Sequence, residues 1–205
     1  MNAETIMNEN DFKRCAEFHG HVCPGLSIGY RAAKLAMEKL GLRRSKDEEV
    51  VAIVETDACS ADAVQVLTGC TFGKGNFIYR DYGKHVLTLV DRKSGKAVRV
   101  VAKPNALAPD PTHMALIQKV LAGTATAEEE KVFAEKHEAR SRQVLEAQAE
   151  TLFDVRFVDI DVPKRARIEP GKPCEGCQES VMQSKLVEIG GKRFCRECAG
   201  KEATA

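Results

Sequence analysis

The stretch CAEFHGHVCPGLSIGYR, residues 15–31, places two histidines and two cysteines around the start of a helix. His19, His21 and Cys23 alternate along the chain, so in an extended segment all three side chains point to one side. Imidazole and thiolate are the ligands that zinc and its neighbouring transition metals prefer. The stretch therefore predicts a metal site or a reactive thiol. The alternative is a polar loop beside a cysteine that packs as a small hydrophobic residue.

A helix over residues 24–40 is predicted to follow. Pro24 suits the first helical position, where its missing N–H costs nothing, and apolar side chains recur at helical spacing until Gly41. Cys23 then lies at the helix N-terminus, where backbone N–H groups and the helix dipole favour a thiolate and lower the thiol pKa. A shorter helix over residues 11–18 is predicted to precede it.

Further along the chain, VVAIVETD (residues 50–57) predicts a buried strand and ADAVQVLTG (residues 61–69) predicts a helix. Cys59 lies between them, at the carboxyl end of the strand, and open α/β sheets usually bind ligands there. We therefore expect Cys59 to meet the two histidines and Cys23.

The rest of the N-terminal sequence predicts a mixed sheet with more helices. Thr126 and Glu129 have capping-box spacing and open a long helix. His113 and His137 have no partner that the sequence reveals, and we interpret both as surface or packing residues. The last strand either returns to the sheet or pairs across a dimer. The predicted elements are strands in 76–81, 85–91, 96–102 and 152–163, and helices in 112–121 and 126–149.

The composition limits the kind of protein. The 205 residues carry a net charge of +1, which gives no global argument for a nucleic-acid or membrane partner. No apolar run reaches about 18 residues, and the N-terminus lacks the basic start and apolar stretch of a signal peptide. We therefore expect a cytoplasmic protein. In a reducing compartment its 8 cysteines indicate metal binding or catalysis rather than disulfides.

A small second domain is predicted at the C-terminus. Cys174, Cys177, Cys195 and Cys198 form two CxxC pairs with 17 residues between them, the pattern of a four-thiolate zinc site. Such a closed site is structural, and its zinc supplies the folding energy that roughly 40 residues cannot obtain from a core. The intervening segment, with its Gly-Gly pair, predicts a hairpin. The predicted domains are 1–162 and 163–205.

Two long motifs resemble a known family. FHGHVCPGLSIGYR (residues 18–31) and ETDACSADAVQVLTGCTFGKGN (residues 55–76) resemble the FmdE family, named for one of the subunits of formylmethanofuran dehydrogenase. The resemblance covers most of residues 10–160. Longer members of that family carry a C-terminal treble-clef zinc finger, and residues 174–198 are similar to it.

The resemblance implies a fold and a setting. The fold is α+β, a thioredoxin-like mixed β-sheet flanked by helices, in a homodimer. The family name implies molybdenum or tungsten formylmethanofuran dehydrogenase chemistry in anaerobes, and hence an oxidoreductase complex as a partner. It also implies a metal-binding active site at the matching positions, which are His19, His21, Cys23, Cys59 and Asp62, with Cys70, Gly73, Lys74 and Gly75 close by.

The first functional hypothesis is a metal-dependent enzyme or an accessory subunit of an oxidoreductase. His21, Cys23 and Cys59 hold zinc or another divalent metal, and the open fourth position is typical of a catalytic site. His19 is a fourth ligand or a base. Asp62 orients a ligand or takes a proton, unless it is only a first-turn residue favoured by the helix dipole.

Lys74 has two interpretations within this hypothesis. It lies in a glycine-punctuated turn that lacks the spacing of a phosphate-binding P-loop. It either binds an anionic group of the substrate or is a solvated turn residue.

The second hypothesis is a non-enzymatic protein that stores, delivers or senses a metal, with the zinc finger docking on a partner. Residues 163–201 hold nine Lys and Arg against five Glu, with Phe194 as the single aromatic residue, which argues against nucleic acid as that partner. A third possibility, thiol redox chemistry, requires Cys15 and Cys23 to lie close enough to bridge.

Overall fold

The computed structural model describes residues 2–104, 106, 108 and 110–202. It divides into two compact units, Met1–Arg165 and Ala166–Ala205. Within the described residues, no helix is both long enough and apolar enough to cross a membrane.

The N-terminal unit combines helices with a single sheet. Its described elements are α1 (Ala3–Asn8), α2 (Asn10–His19), α3 (Pro24–Leu40), β1 (Val50–Val54), α4 (Ser60–Thr68), β2 (Phe77–Tyr79), β3 (Val86–Asp91), β4 (Ala97–Ala102), α5 (Pro111–Leu121), α6 (Ala127–Glu146), α7 (Ala149–Leu152) and β5 (Phe153–Val158).

The five strands form a mixed sheet in the order β2-β1-β3-β4-β5. Strands β1 and β2 pair in parallel, and the other neighbouring strands are antiparallel. Strands β3 and β4, which were predicted at 85–91 and 96–102, form an antiparallel hairpin. The last strand, β5, returns to the sheet beside β4, with Val155 opposite Val100. The α+β class and the mixed sheet are therefore confirmed.

The two faces of the sheet are covered differently. Strand β1 is buried along its whole length, as its nearly unbroken apolar sequence predicts. Val50, Ala52 and Val54 pack into the main core with the helices, whereas Val51 and Ile53 belong to a smaller cluster on the other face. The alternation of side chains along a strand thus places the helices and the main core on one face.

Helix α3 spans the predicted range. Cys23 is its N-cap residue, Pro24 occupies the first turn, and Gly41 ends the helix in a left-handed conformation. The capping box of Thr126 and Glu129 is likewise present at the start of α6. Helix α1 and the short helix α7 were not predicted. Their few residues carry too little periodicity to be distinguished from loop or strand.

A close backbone contact joins α3 to α4. A Cβ atom on Gly29 would lie 2.3 Å from the carbonyl oxygen of Ser60 and 2.6 Å from its Cα, so only glycine fits there. The contact holds the N-terminal turns of both helices side by side. Cys23 and Cys59 precede those turns, and their separation therefore depends on this contact.

The C-terminal unit is built from two small hairpins and a helix. Its elements are β6 (Gly171–Pro173), β7 (Ser180–Met182), a 3₁₀ helix (Gln183–Lys185), β8 (Val187–Ile189), β9 (Lys192–Phe194) and α8 (Arg196–Glu202). The hairpin predicted at the Gly-Gly pair is confirmed as β8–β9, with both glycines at positive φ. The buried residues Cys174, Phe194 and Ala199 form its small core.

We expect Gly29→Ala to lower the free energy of unfolding of the N-terminal unit by about 1–3 kcal/mol or more, because the new methyl group forces two backbones apart. Urea denaturation followed by circular dichroism measures this. Gly73→Ala is the matched control, since a Cβ there meets no atom within 4 Å. Equal stability of the two variants would contradict the importance of the contact.

A buried ion pair stabilises the outer face of the sheet. Arg99 donates to both carboxylate oxygens of Glu55, at 2.5 and 3.1 Å, and the Glu55 side chain is only 5% exposed. This bonding holds the pKa of Glu55 below its usual value of 4.5. The pair therefore contributes its full stability above pH 4.5 and loses it as the pH falls through the lowered value.

We expect Arg99→Met to destabilise the unit by about 3–5 kcal/mol at pH 7, because Glu55 is left as a buried, unpaired charge. The deficit should shrink as the pH falls, first because the unpaired, buried Glu55 of the variant takes up a proton and then, below pH 4.5, because the wild-type ion pair loses its stability. Urea midpoints across this pH range measure it. Lys34→Met, which removes a half-exposed partner of Asp11, should cost at most about 1 kcal/mol. A deficit independent of pH would refute the charge argument.

Candidate metal centres

The first candidate centre lies where α2 ends and α3 begins. His19 is the last residue of α2, Gly20 caps that helix with φ +91°, and Cys23 is the extended N-cap residue of α3. The segment 19–23 is therefore not extended throughout, because the end of α2 and the left-handed Gly20 occupy its start. The ligand atoms of His19, His21 and Cys23 nevertheless all lie within 4.8 Å of one another.

His19 is the best-oriented side chain of this group. Its Nδ1 lies 2.7 Å from Oδ2 of Asp62, and its Nε2 lies 3.7 Å from Sγ of Cys23. A neutral ring that donates from Nδ1 to the carboxylate presents the lone pair of Nε2 towards the sulfur. A carboxylate that orients a histidine in this way is the usual support of a metal ligand. Asp62, in the first turn of α4, thus contacts His19.

Cys59 borders the same space. It precedes α4, and a Cβ on Gly25 would lie 3.5 Å from its Sγ and 3.7 Å from Sγ of Cys23. The two sulfur atoms therefore flank the gap that Gly25 leaves open. Cys59 is outside the tightest group, which contains His19, His21 and Cys23.

The pKa of the Cys23 thiol differs from the prediction. Its Sγ accepts a hydrogen bond from the backbone N–H of Leu26 at 3.2 Å, as expected at a helix N-terminus. Burial is the larger effect, however, and raises the pKa of Cys23 to about 11. The prediction of a lowered pKa is wrong because the residue is only 3% exposed, so that desolvation exceeds the effect of the helix end.

Lys74 is not brought to this group. Its Nζ donates to the backbone oxygen of Asp47 at 3.2 Å, and Asp47 lies just before β1. Cys59 follows the other end of that strand. Five residues of strand separate the two ends by roughly 13 Å. The turn around Lys74 therefore lies at the opposite end of strand β1 from Cys59.

Cys15 and Cys70 are packing residues. Both are fully buried, and burial raises the pKa of Cys15 to about 12. Sγ of Cys15 lies 4.0 Å from the backbone oxygen of Ala63, and Sγ of Cys70 lies 3.4 Å from that of Val50. All eight cysteines lie in the described part of the chain and are free thiols, so Cys15 and Cys23 are not bridged.

Sequence reasoning missed a pair of histidines. Nε2 of His113 lies 3.1 Å from Nδ1 of His137, joining α5 to α6. The sequence revealed no partner for either residue, and the structure shows that they contact each other while packing against Phe133. They are 24 positions apart, and no local pattern could have indicated that they meet.

The second centre is the four-cysteine cluster of the C-terminal unit. The sulfur atoms of Cys174, Cys177, Cys195 and Cys198 all lie within 4.8 Å of one another. Tetrahedral zinc–sulfur bonds of about 2.3 Å place sulfurs roughly 3.8 Å apart, so the cluster fits zinc. A backbone hydrogen bond from Cys195 at 3.1 Å lowers the pKa of Cys174 to about 6, whereas the sulfur of Cys195 raises that of Cys198 to about 12.

Comparison with known proteins agrees with both regions. Residues 18–154 match the family model described as FmdE, molybdenum formylmethanofuran dehydrogenase operon. Residues 164–202 match the prokaryotic dksA/traR C4-type zinc finger. The C-terminal unit therefore carries a zinc finger, as predicted.

A relative and a solved structure are also similar. A probable S-adenosyl-L-methionine-binding protein of Archaeoglobus fulgidus is 38% identical over 194 residues, which cover 91% of this chain and 52% of the relative. The chain thus spans about half the length of that protein. The crystal structure of an FmdE-like protein from Syntrophus aciditrophicus, named after tungsten formylmethanofuran dehydrogenase, aligns with 97% of this chain and 92% of its own, at 25% identity and a TM-score of 0.57. With its family model matched over two thirds of its length, the chain belongs to the FmdE family.

Proposed function

We propose that the chain is a metal-binding accessory subunit of an oxidoreductase of the formylmethanofuran dehydrogenase type. His19, His21 and Cys23 would hold one divalent ion, with Cys59 available as a fourth ligand. The observation that carries the proposal is the position of His19, whose Nδ1 contacts Asp62 and whose Nε2 faces Cys23. An ion bound there supplies a Lewis acid.

The chain's own residues give this centre a defined chemistry. Asp62 fixes the tautomer of His19 and raises its basicity as a ligand. The burial of Cys23 excludes water from one side of the centre, while His21 is exposed on the other. Substrate or a partner protein would therefore approach from the side of His21. Lys74, which lies at the other end of strand β1, has no part in this proposal.

The proposal predicts that His19→Ala lowers the metal content by one ion per chain. Elemental analysis of the full chain purified without oxygen measures this. Asp62→Asn should keep the site but weaken its metal affinity by about 10–100-fold, because the ring of His19 loses its orienting carboxylate. His85→Ala, which changes an exposed histidine before β3, is the control. If His19→Ala retains the wild-type metal content, the N-terminal centre does not exist.

Metal storage or delivery is the competing function. A resident ion at a site with buried Cys23 should exchange slowly with a chelator, over hours. An ion carried for delivery should leave within seconds, and wild-type protein loaded with a single isotope distinguishes the two cases. A regulatory role of the zinc finger is tested separately, since deletion of residues 166–205 should then abolish a partner interaction and leave the N-terminal metal in place.

The family and the Syntrophus relative support assembly with a dehydrogenase, and we propose a homodimer in addition. Strand β5 is an edge strand of the sheet, and the Phe157 side chain on it is 61% exposed. An exposed edge with an aromatic residue favours pairing with a second strand. Light scattering of the wild type and of Phe157→Lys tests this, and a monomeric wild type would contradict it.

A second candidate function is binding of S-adenosyl-L-methionine, the ligand in the name of the Archaeoglobus relative. A cleft of about 400 Å³ between α2 and α4 is lined by Arg14, Glu17, Phe18 and Gln65. Arg14 suits a carboxylate, Glu17 an ammonium group and Phe18 a stacked base. Equilibrium dialysis of the wild type and of Phe18→Ala is the test. Absence of binding to this chain would assign that ligand to the half of the relative that lies outside the match.

A further inference from the structure

The histidine pair between α5 and α6 has the geometry of two ligands of one metal ion. Nε2 of His113 and Nδ1 of His137 lie 3.1 Å apart, and their ring planes are inclined by 85°. Two imidazole nitrogens bound tetrahedrally at about 2.0–2.1 Å lie roughly 3.3 Å apart. The competing explanation is a hydrogen bond between two neutral rings at the same distance.

The surroundings keep both rings in the form that binds metals. His113 is 3% exposed, and Phe133 packs against both imidazoles at 5.9 and 4.8 Å between ring centroids. Burial lowers the pKa of each histidine, so both are neutral at pH 7. The charged neighbours of His113 are Asp110 and Lys136, which form an ion pair at 3.2 Å, and Arg140.

The pair lies near the first centre. Arg31 of α3 donates to the oxygens of Val144 and Ala147 at the end of α6. Further along α3, Leu35 and Lys39 line one cleft together with residues 149–150, which follow α6 in the chain. Two turns before Arg31 the first centre begins, and two turns before Val144 is His137.

Electrostatics agrees with this placement. The pKa of His137 is lowered first by burial, then by His113 and then by His21. His21 belongs to the first centre and therefore lies close enough to His137 to affect its pKa.

We propose that His113 and His137 form a second, exchangeable site for a divalent transition metal, adjacent to the centre of His19, His21 and Cys23. Two imidazoles without a thiolate suit nickel, cobalt or zinc and bind them more weakly than a site with cysteines. Solvent would complete the coordination, because His137 is only half-buried. The site stands on its own two residues and does not require the proposed oxidoreductase role.

The test uses the full chain, first given only enough zinc to fill its tighter cysteine-containing sites and then titrated with Ni²⁺ by calorimetry. We expect one additional Ni²⁺ to bind to the wild type, and His113→Gln and His137→Gln each to weaken it at least about 10-fold, as the loss of one of two protein ligands requires. His85→Gln should bind as the wild type does. His19→Ala should also retain this Ni²⁺, which separates failure of this site from failure of the first centre.

A second measurement needs no variant. The chain has 5 histidines, and Ni²⁺ bound at the pair should broaden the ring proton signals of His113 and His137 in NMR spectra before those of His85. Equal Ni²⁺ binding by the wild type and His137→Gln, or unbroadened signals of both histidines at saturation, would overturn the site and leave the hydrogen bond as the explanation.

Discussion

The contact between Gly29 and the backbone of Ser60 is the constraint on which the N-terminal unit depends. It sets the distance between α3 and α4, and the residues that precede these helices are Cys23 and Cys59. The same spacing lets His19 reach Asp62 across the gap between α2 and α4. A side chain on Gly25 would fill the space between the two sulfurs. Two glycines therefore create the room and the proximity that the centre needs.

Burial and neighbouring sulfur atoms both disfavour the thiolate form in the two cysteine-containing centres. Cys23 is desolvated and Cys198 lies against a neighbouring sulfur, and each effect raises the thiol pKa. Gathering thiolates without a cation would be unfavourable, since like charges and low dielectric both disfavour the ionised form. A divalent ion removes that conflict by binding the deprotonated sulfurs, which couples metal binding to folding. The donor sets therefore fit metal binding better than free thiolate chemistry.

Much of the fold could be predicted from the sequence because its signals are local. Helix α3 has a proline at its start and a glycine at its end, and the capping box of Thr126 and Glu129 fixes the start of α6. Tertiary placement could not be predicted in the same way. Alternation would place His19, His21 and Cys23 on one side of an extended segment, but α2 continues to His19 and Gly20 is left-handed. Lys74 is near Cys59 in sequence, yet the two residues lie at opposite ends of strand β1. The contact between His113 and His137 depends on the packing of α5 on α6.

The three candidate metal sites differ in the number of sulfur ligands that they offer. Four thiolates in the C-terminal unit form a closed donor set, so an ion there stabilises structure and is not available to substrate. The mixed histidine and cysteine group has fewer sulfurs and an exposed His21, which leaves one side accessible. The histidine pair has no sulfur and a half-buried ring. Affinity should fall in that order, since soft thiolates bind these metals most tightly. A chain with such a range of affinities is suited to retain one ion permanently and to exchange another.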